Sequence, residues 1–140
     1  MGRTLFFGLI WPFFLFSQTN PVSQEHDSLL ALLVQLNEQG KFSTVIRYLS
    51  TEKKNFRDTK KGVFMVEYAK AFEGLNATDS AFFYYTKALR DFEKRDIPEL
   101  VAETNLEISD LLETQNNLDI DHSNYFEKFW DYATTVKNPY

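Results

Sequence analysis

The chain has 140 residues, of which 44% are hydrophobic, so it is long enough for one folded domain or one short repeat array. Its 5 glycines and 4 prolines are too few for a turn-rich β-sandwich or a disordered chain, and they favour helices. The absence of cysteine excludes a disulfide framework, a thiol nucleophile, a cysteine zinc site and a lipid anchor on cysteine, and the net charge of −5 provides no overall attraction to nucleic acid.

The first 17 residues have the pattern of a secretory signal peptide. Arg3 supplies the positive charge, residues 5–16 form an apolar run, and Ser17 is small enough for a cleavage site. The run is shorter than the ~20 residues that a helix needs to cross a bilayer. We therefore expect export to the periplasm or out of the cell, with an uncleaved membrane anchor as the alternative. Residues 18–26 would then form a polar leader.

From residue 27 onward, apolar residues recur at helical spacing, in pairs of stripes separated by a glycine or an asparagine. The first pair surrounds Gly40, and two further pairs surround Asn76 and Asn116. Gly and Asn tolerate the left-handed conformation that ends helices, so their recurrence between stripes predicts helical hairpins. Six helices are expected, near residues 27–39, 42–55, 61–74, 78–95, 98–114 and 118–136.

The second hairpin has large, small and aromatic residues at regular positions of its two helices: Met65, Tyr68, Ala69 and Phe72, then Ala81, Tyr85 and Ala88. This arrangement resembles the tetratricopeptide repeat family. The resemblance implies that the small residues let the two helices approach closely and that the aromatic residues fill the core beside them. The first hairpin fits less well, because Leu33 stands where a small residue is usual. In the third hairpin Asp121 stands where alanine is expected. A one-residue slip would instead align His122, Phe126 and Phe129 with the pattern.

The resemblance implies an all-α fold, an α-solenoid of about three helix-turn-helix hairpins over residues 27–137. The repeats would lie near residues 26–60, 62–96 and 98–136, in the manner of exported bacterial members of the family. A non-repetitive helical bundle is the alternative architecture.

In this family the first helix of each hairpin lines the concave face that binds protein partners. The resemblance implies that this face carries Leu30, Val34, Asn37, Val66, Lys70, Glu73, Leu106, Asp110 and Glu113. Members that grip the C-terminal carboxylate of a peptide use Lys and Asn at two places where this sequence has Leu30 and Val34. We therefore expect a protein or peptide partner in a mixed apolar and acidic groove, without a carboxylate clamp.

No pattern in the sequence predicts a catalytic, cofactor or metal site. The two histidines, His26 and His122, lie in different regions and outside any HExxH pattern. Asp119 and Asp121 lie near His122, but aspartates are common at the start of a surface helix. We expect the protein not to be an enzyme, to use no cofactor or metal, to bind no nucleic acid, and to meet the membrane only through the signal segment.

The expected function is that of an extracytoplasmic protein–protein interaction scaffold. The alternative is the N-terminal sensor portion of a longer bacterial membrane protein in signalling or transcription regulation, truncated here. The last predicted helix motivates this alternative, because it carries more large apolar groups than one face can bury: Tyr125, Phe126, Phe129, Trp130, Tyr132 and Val136. We expect this helix to mediate self-association when nothing else covers it.

Overall fold

The computed structural model describes residues 21–51, 61–114 and 122–137, and within these ranges the chain forms α-helices and no strand. The six helices are α1 Pro21–Glu38, α2 Phe42–Thr51, α3 Lys61–Gly74, α4 Thr78–Lys94, α5 Pro98–Thr114 and α6 His122–Lys137. The all-α fold predicted from the sequence is confirmed. The expected signal segment, residues 1–17, lies outside the described residues.

Helix α1 begins at Pro21, so the predicted start of the first helix near residue 27 was wrong, and residues 21–26 of the expected polar leader are helical. Proline suits the first turn of a helix, because the backbone N–H that it lacks has no partner there. The apolar stripe of α1 starts only at Leu29, which is why the hydrophobic pattern misses the first turns. Pro98 occupies the same kind of position in α5, which begins at the predicted residue 98.

The predicted turn residues Gly40 and Asn76 have left-handed backbones, with φ of 70° and 56°. At each turn the next residue donates its N–H to a carbonyl five positions back: Lys41 to Leu36 at 2.8 Å, and Ala77 to Phe72 at 2.9 Å. This is the Schellman arrangement, which satisfies the last carbonyls of α1 and α3. Asn116 lies outside the described residues.

Asp96 ends α4 in the same conformation, with φ of 56° and the Ile97 N–H donated to the Phe92 carbonyl at 3.1 Å. Aspartate tolerates this conformation less readily than glycine or asparagine, so the sequence predicted a break here but not its left-handed form. The three left-handed turns reverse the chain after α1, α3 and α4.

The helices pack in chain order around two connected groups of buried side chains. The first group lies among α1, α2 and α3: Leu33, Val45, Leu49, Phe64, Tyr68 and Ala71. The second lies among α3, α4 and α5: Ala69, Ala81, Tyr85, Leu89, Ile108, Leu111 and Leu112. Phe72 and Tyr84 contact both groups, and their rings stack 5.5 Å apart. One core therefore runs along successive helical hairpins, as in a helical repeat protein.

Small residues allow close contacts between helices at Ala69, Gly74 and Ala81. Ala69 on α3 and Ala81 on α4 are fully buried. Gly74 is the last residue of α3, and a methyl group there would overlap the ring of Phe42 at the start of α2. Leu33, which stands at a place where a small residue is usual, is also fully buried, so the first hairpin fills that space with a larger side chain.

Across the described ranges, none of the helices combines the length and the apolar character needed to cross a membrane.

Candidate partner-binding face

Helices α1 and α3 are joined on the candidate face by a buried amide–carboxylate contact. The Asn37 side-chain Nδ2 donates to the Glu67 backbone oxygen at 2.9 Å and to the Glu67 Oε2 at 2.8 Å. Glu67 is only 7% exposed, and the donation to its Oε2 offsets part of the cost of burying the carboxylate. Asn37 is thus fixed in orientation, with its Oδ1 buried and without a hydrogen-bond partner in the described part of the chain.

Helices α3 and α5 are joined by an ion pair on the same side. Lys70 Nζ lies 3.3 Å from Glu107 Oε1, and both side chains remain partly exposed. One turn further along α3, Glu73 Oε2 accepts a hydrogen bond of 2.8 Å from the hydroxyl of Tyr85 on α4. Tyr85 is fully buried, so its hydroxyl needs this acceptor.

Negative charge accumulates around these contacts. Burial raises the pKa of Glu73, the Tyr85 hydrogen bond lowers it, and the nearby charge of Glu107 raises it again. Lys70 lowers this pKa and Asp110 raises it, and both effects are weaker than those of burial, Tyr85 and Glu107. The pKa of Tyr85 is raised far above its ordinary value by burial first, and then by the charges of Glu107 and Glu73. The centre of the face is therefore acidic.

The structure places the nine predicted residues in three different ways. Asn37, Lys70 and Glu73 make the interhelical contacts described above, and Asp110 lies close enough to act on Glu73. Leu30 and Val66 are partly buried against the core. The remaining three are partly or fully exposed on α1 and α5: Val34, Leu106 and Glu113.

The prediction missed three residues that organise this face: Glu67, Tyr85 and Glu107. Tyr85 was predicted as a core aromatic, and the need of a buried hydroxyl for an acceptor could have linked it to an acid on the neighbouring helix. Glu67 lies one helical turn before Lys70, and Glu107 lies one position after Leu106, but nothing in their spacing marks them as contact residues.

At the aromatic position of α6 the structure partly buries Tyr125, as in the first of the two predicted registers, and Phe129, which the one-residue slip would turn inward, is partly buried as well. Tyr125 is partly buried against the second core group, where its ring meets that of Phe82 edge-on at 6.4 Å. Phe126, which the one-residue slip would turn inward, is 45% exposed. The exposed side of α6 therefore carries Phe126 and Trp130, whose rings stack 6.2 Å apart, and Trp130 is 56% exposed.

Metal-binding side chains are not grouped in the described part of the chain, where no three His, Asp or Glu residues are placed to hold an ion. His122 is exposed, and its backbone oxygen accepts a hydrogen bond of 3.3 Å from Ser109. Asp119 and Asp121, its neighbours in the sequence, lie outside the described residues.

No protein-family model, curated protein or solved structure matches this chain.

Proposed function

We propose that the protein is an extracytoplasmic scaffold that binds another protein through the side of α1, α3 and α5, in the manner of tetratricopeptide repeats. The observation that carries this proposal is the row of polar contacts between alternate helices, from Asn37–Glu67 to Lys70–Glu107. These contacts link α1, α3 and α5, one helix from each hairpin, and a surface of such helices is what helical repeat proteins offer to partners.

The chemistry of the face suits a partner segment with basic and apolar side chains. Glu73, Glu107 and Asp110 give the centre its negative charge, with Lys70 as the basic residue among them. Val34 and Leu106 are partly exposed apolar groups on α1 and α5, so they can bury part of such a segment. Complementary charge of this kind speeds association and selects partners more than it raises affinity.

The extracytoplasmic part of the proposal rests on residues 1–17, whose charge and apolar run are typical of a signal peptide. Protein purified from the producing organism should begin near Gln18 and lie outside the cytoplasm. N-terminal sequencing of the purified protein tests this, and soluble cytoplasmic protein that retains Met1 would disprove export.

Site-directed photo-cross-linking tests the binding proposal directly. A photoreactive amino acid is placed at Val34 or Leu106 on the candidate face, and at Arg47 or Arg90 as exposed control positions on α2 and α4. In the producing organism, the same partner should be captured from Val34 and Leu106 and not from the control positions. Equal capture from all four positions, or capture only from the controls, would rule out the candidate face.

A further inference from the structure

The exposed side of α6 carries a short aromatic stripe. Phe126 and Trp130 are 45% and 56% exposed, and their rings stack 6.2 Å apart with 20° between their planes. The second helices of the first two hairpins each pack against the helix that follows, α2 against α3 and α4 against α5. In the part of the chain that the structure describes, no helix covers Phe126 and Trp130 in this way, so α6 presents a side onto which another helix can pack.

Four residues of this side form a seam that reads the same in both directions along the helix. Ser123, Phe126, Trp130 and Ala133 follow one another at intervals of 3, 4 and 3 positions. This spacing places them on one side of a helix, as at the contact positions of a coiled coil. Their sizes run small, large, large, small, so a second α6 turned end to end offers a matching seam. Such a pairing is two-fold symmetric, which is the commonest symmetry of protein pairs.

The charges of the helices favour pairing through α6 over pairing through α5. Helix α5 contains five acidic residues and no basic one, so two copies that met through α5 would repel each other. Helix α6 contains two acidic and two basic residues, and its formal charge is zero when His122 is neutral. Two copies of a chain whose net charge is −5 can therefore approach through α6 with little repulsion.

We propose that two copies of this chain pair through α6, antiparallel about a two-fold axis between Phe126 and Trp130. Phe126 of each copy then lies against Trp130 of the other, and contact between aromatic rings stabilises an interface beyond the area that it buries. Phe129 supports Phe126 within the same chain, with the ring centroids 6.2 Å apart. The nine residues of the candidate partner-binding face lie on α1, α3 and α5, so pairing through α6 leaves that face open in both copies.

Disulfide cross-linking tests the antiparallel arrangement, and the natural chain contains no cysteine that would interfere. The double variant Ser123→Cys/Ala133→Cys should form a covalent dimer under mild oxidation, because position 123 of one copy lies near position 133 of the other. Each single variant should form little or none, since like positions then lie ~15 Å apart along the helices, beyond the ~7 Å limit between Cα atoms for a disulfide.

Asn124→Cys/Thr135→Cys is the matched control, because both residues are exposed on α6 outside the seam. This control should stay monomeric. Equal cross-linking of the two double variants would overturn the proposal, as would the absence of a covalent dimer of Ser123→Cys/Ala133→Cys. Stronger cross-linking of Ser123→Cys alone would show a parallel pair and would also overturn it.

Trp130 fluorescence tests the pairing without any substitution in the described helices. The chain from residue 18 onward keeps all described residues and has Trp130 as its one tryptophan, because the other, Trp11, belongs to the expected signal segment. As the protein concentration rises, the emission maximum should shift to shorter wavelength and quenching by iodide should fall. A spectrum that stays the same at all concentrations, or that changes only when phospholipid vesicles are added, would overturn pairing with a second copy.

Discussion

Ala81 is fully buried within the core group that also contains Ala69 and Tyr85, at the contact between α3 and α4. Because protein interiors are closely packed, Ala81→Leu should lower the free energy of unfolding by about 1–3 kcal/mol through overpacking. Ala31→Leu places the same side chain on the exposed side of α1 and should change stability little. Urea unfolding of both variants measures the difference, and equal small shifts in midpoint would contradict this packing.

Burial is the main cause of the raised pKa of Glu73, and this raised pKa makes the free energy of unfolding depend on pH. The folded protein holds a proton on Glu73 to higher pH than the unfolded chain does, so this residue makes the free energy of unfolding fall as pH rises above the ordinary Glu value of 4.5. Glu73→Gln keeps an acceptor for the Tyr85 hydroxyl and removes the titration. The variant should therefore gain stability relative to the wild type between acid and neutral pH.

Urea unfolding at several pH values from about 4 to 7 measures this gain, since the interval spans the ordinary Glu pKa. Glu113→Gln, at an exposed acid at the end of α5, serves as the control and should show no such trend. Parallel stability curves for the wild type and Glu73→Gln would show that burial does not raise this pKa.

Single residues differ in how far the sequence reveals their role. Repeat spacing was enough to predict that Ala81 and Tyr85 are core residues, and both are fully buried. The burial of Glu67 could not be predicted in this way, because a carboxylate is normally exposed. Its burial depends on Asn37, which lies 30 positions away on another helix. A local sequence pattern cannot predict a contact over that separation.

At the scale of helices, the sequence predicted the elements with the clearest local signals. Helices α3 and α5 begin and end at the predicted residues, 61–74 and 98–114. The start of α1 was missed because its first turns carry no apolar stripe, and a polar helical turn resembles a leader in composition. The register of α6 stayed open in the sequence, since Tyr125 and Phe126 are both large aromatic residues and either could face the core. In the structure it is Tyr125 that packs against Phe82.

The exposed side of α6 leads to a prediction about self-association. Phe126 and Trp130 are 45% and 56% exposed, and large exposed apolar patches are uncommon on monomers. We expect the chain from residue 18 onward to self-associate through this side. Replacing Phe126 and Trp130 with glutamine should return it to a monomer, whereas Tyr48→Gln, at an exposed aromatic on α2, should not.

Light scattering over a concentration series measures this difference. A wild-type chain that stays monomeric at high concentration, or a Tyr48→Gln variant that dissociates as readily as the α6 variant, would contradict self-association through α6.

For the whole molecule, the resemblance to tetratricopeptide repeats led to α1, α3 and α5 as the candidate face, and binding of a partner there stays a prediction. Asn37, Lys70 and Glu73 do make contacts to neighbouring helices. The sequence could not predict which acidic residues they contact, because the Lys70–Glu107 pair depends on the angle between successive hairpins. That angle results from packing along the whole core, whereas the sequence pattern describes each hairpin separately.

The central claim, that a partner binds the side of α1, α3 and α5, is tested most directly by titration calorimetry with the partner segment recovered by cross-linking. Val34→Lys and Asp110→Lys change exposed or partly exposed residues on the first and last of these helices, and Arg90→Glu changes an exposed residue on α4. Each of the first two changes should weaken binding by about tenfold or more, while Arg90→Glu leaves the affinity unchanged. Unchanged affinity in both Val34→Lys and Asp110→Lys, or a loss confined to Arg90→Glu, would contradict binding at this face.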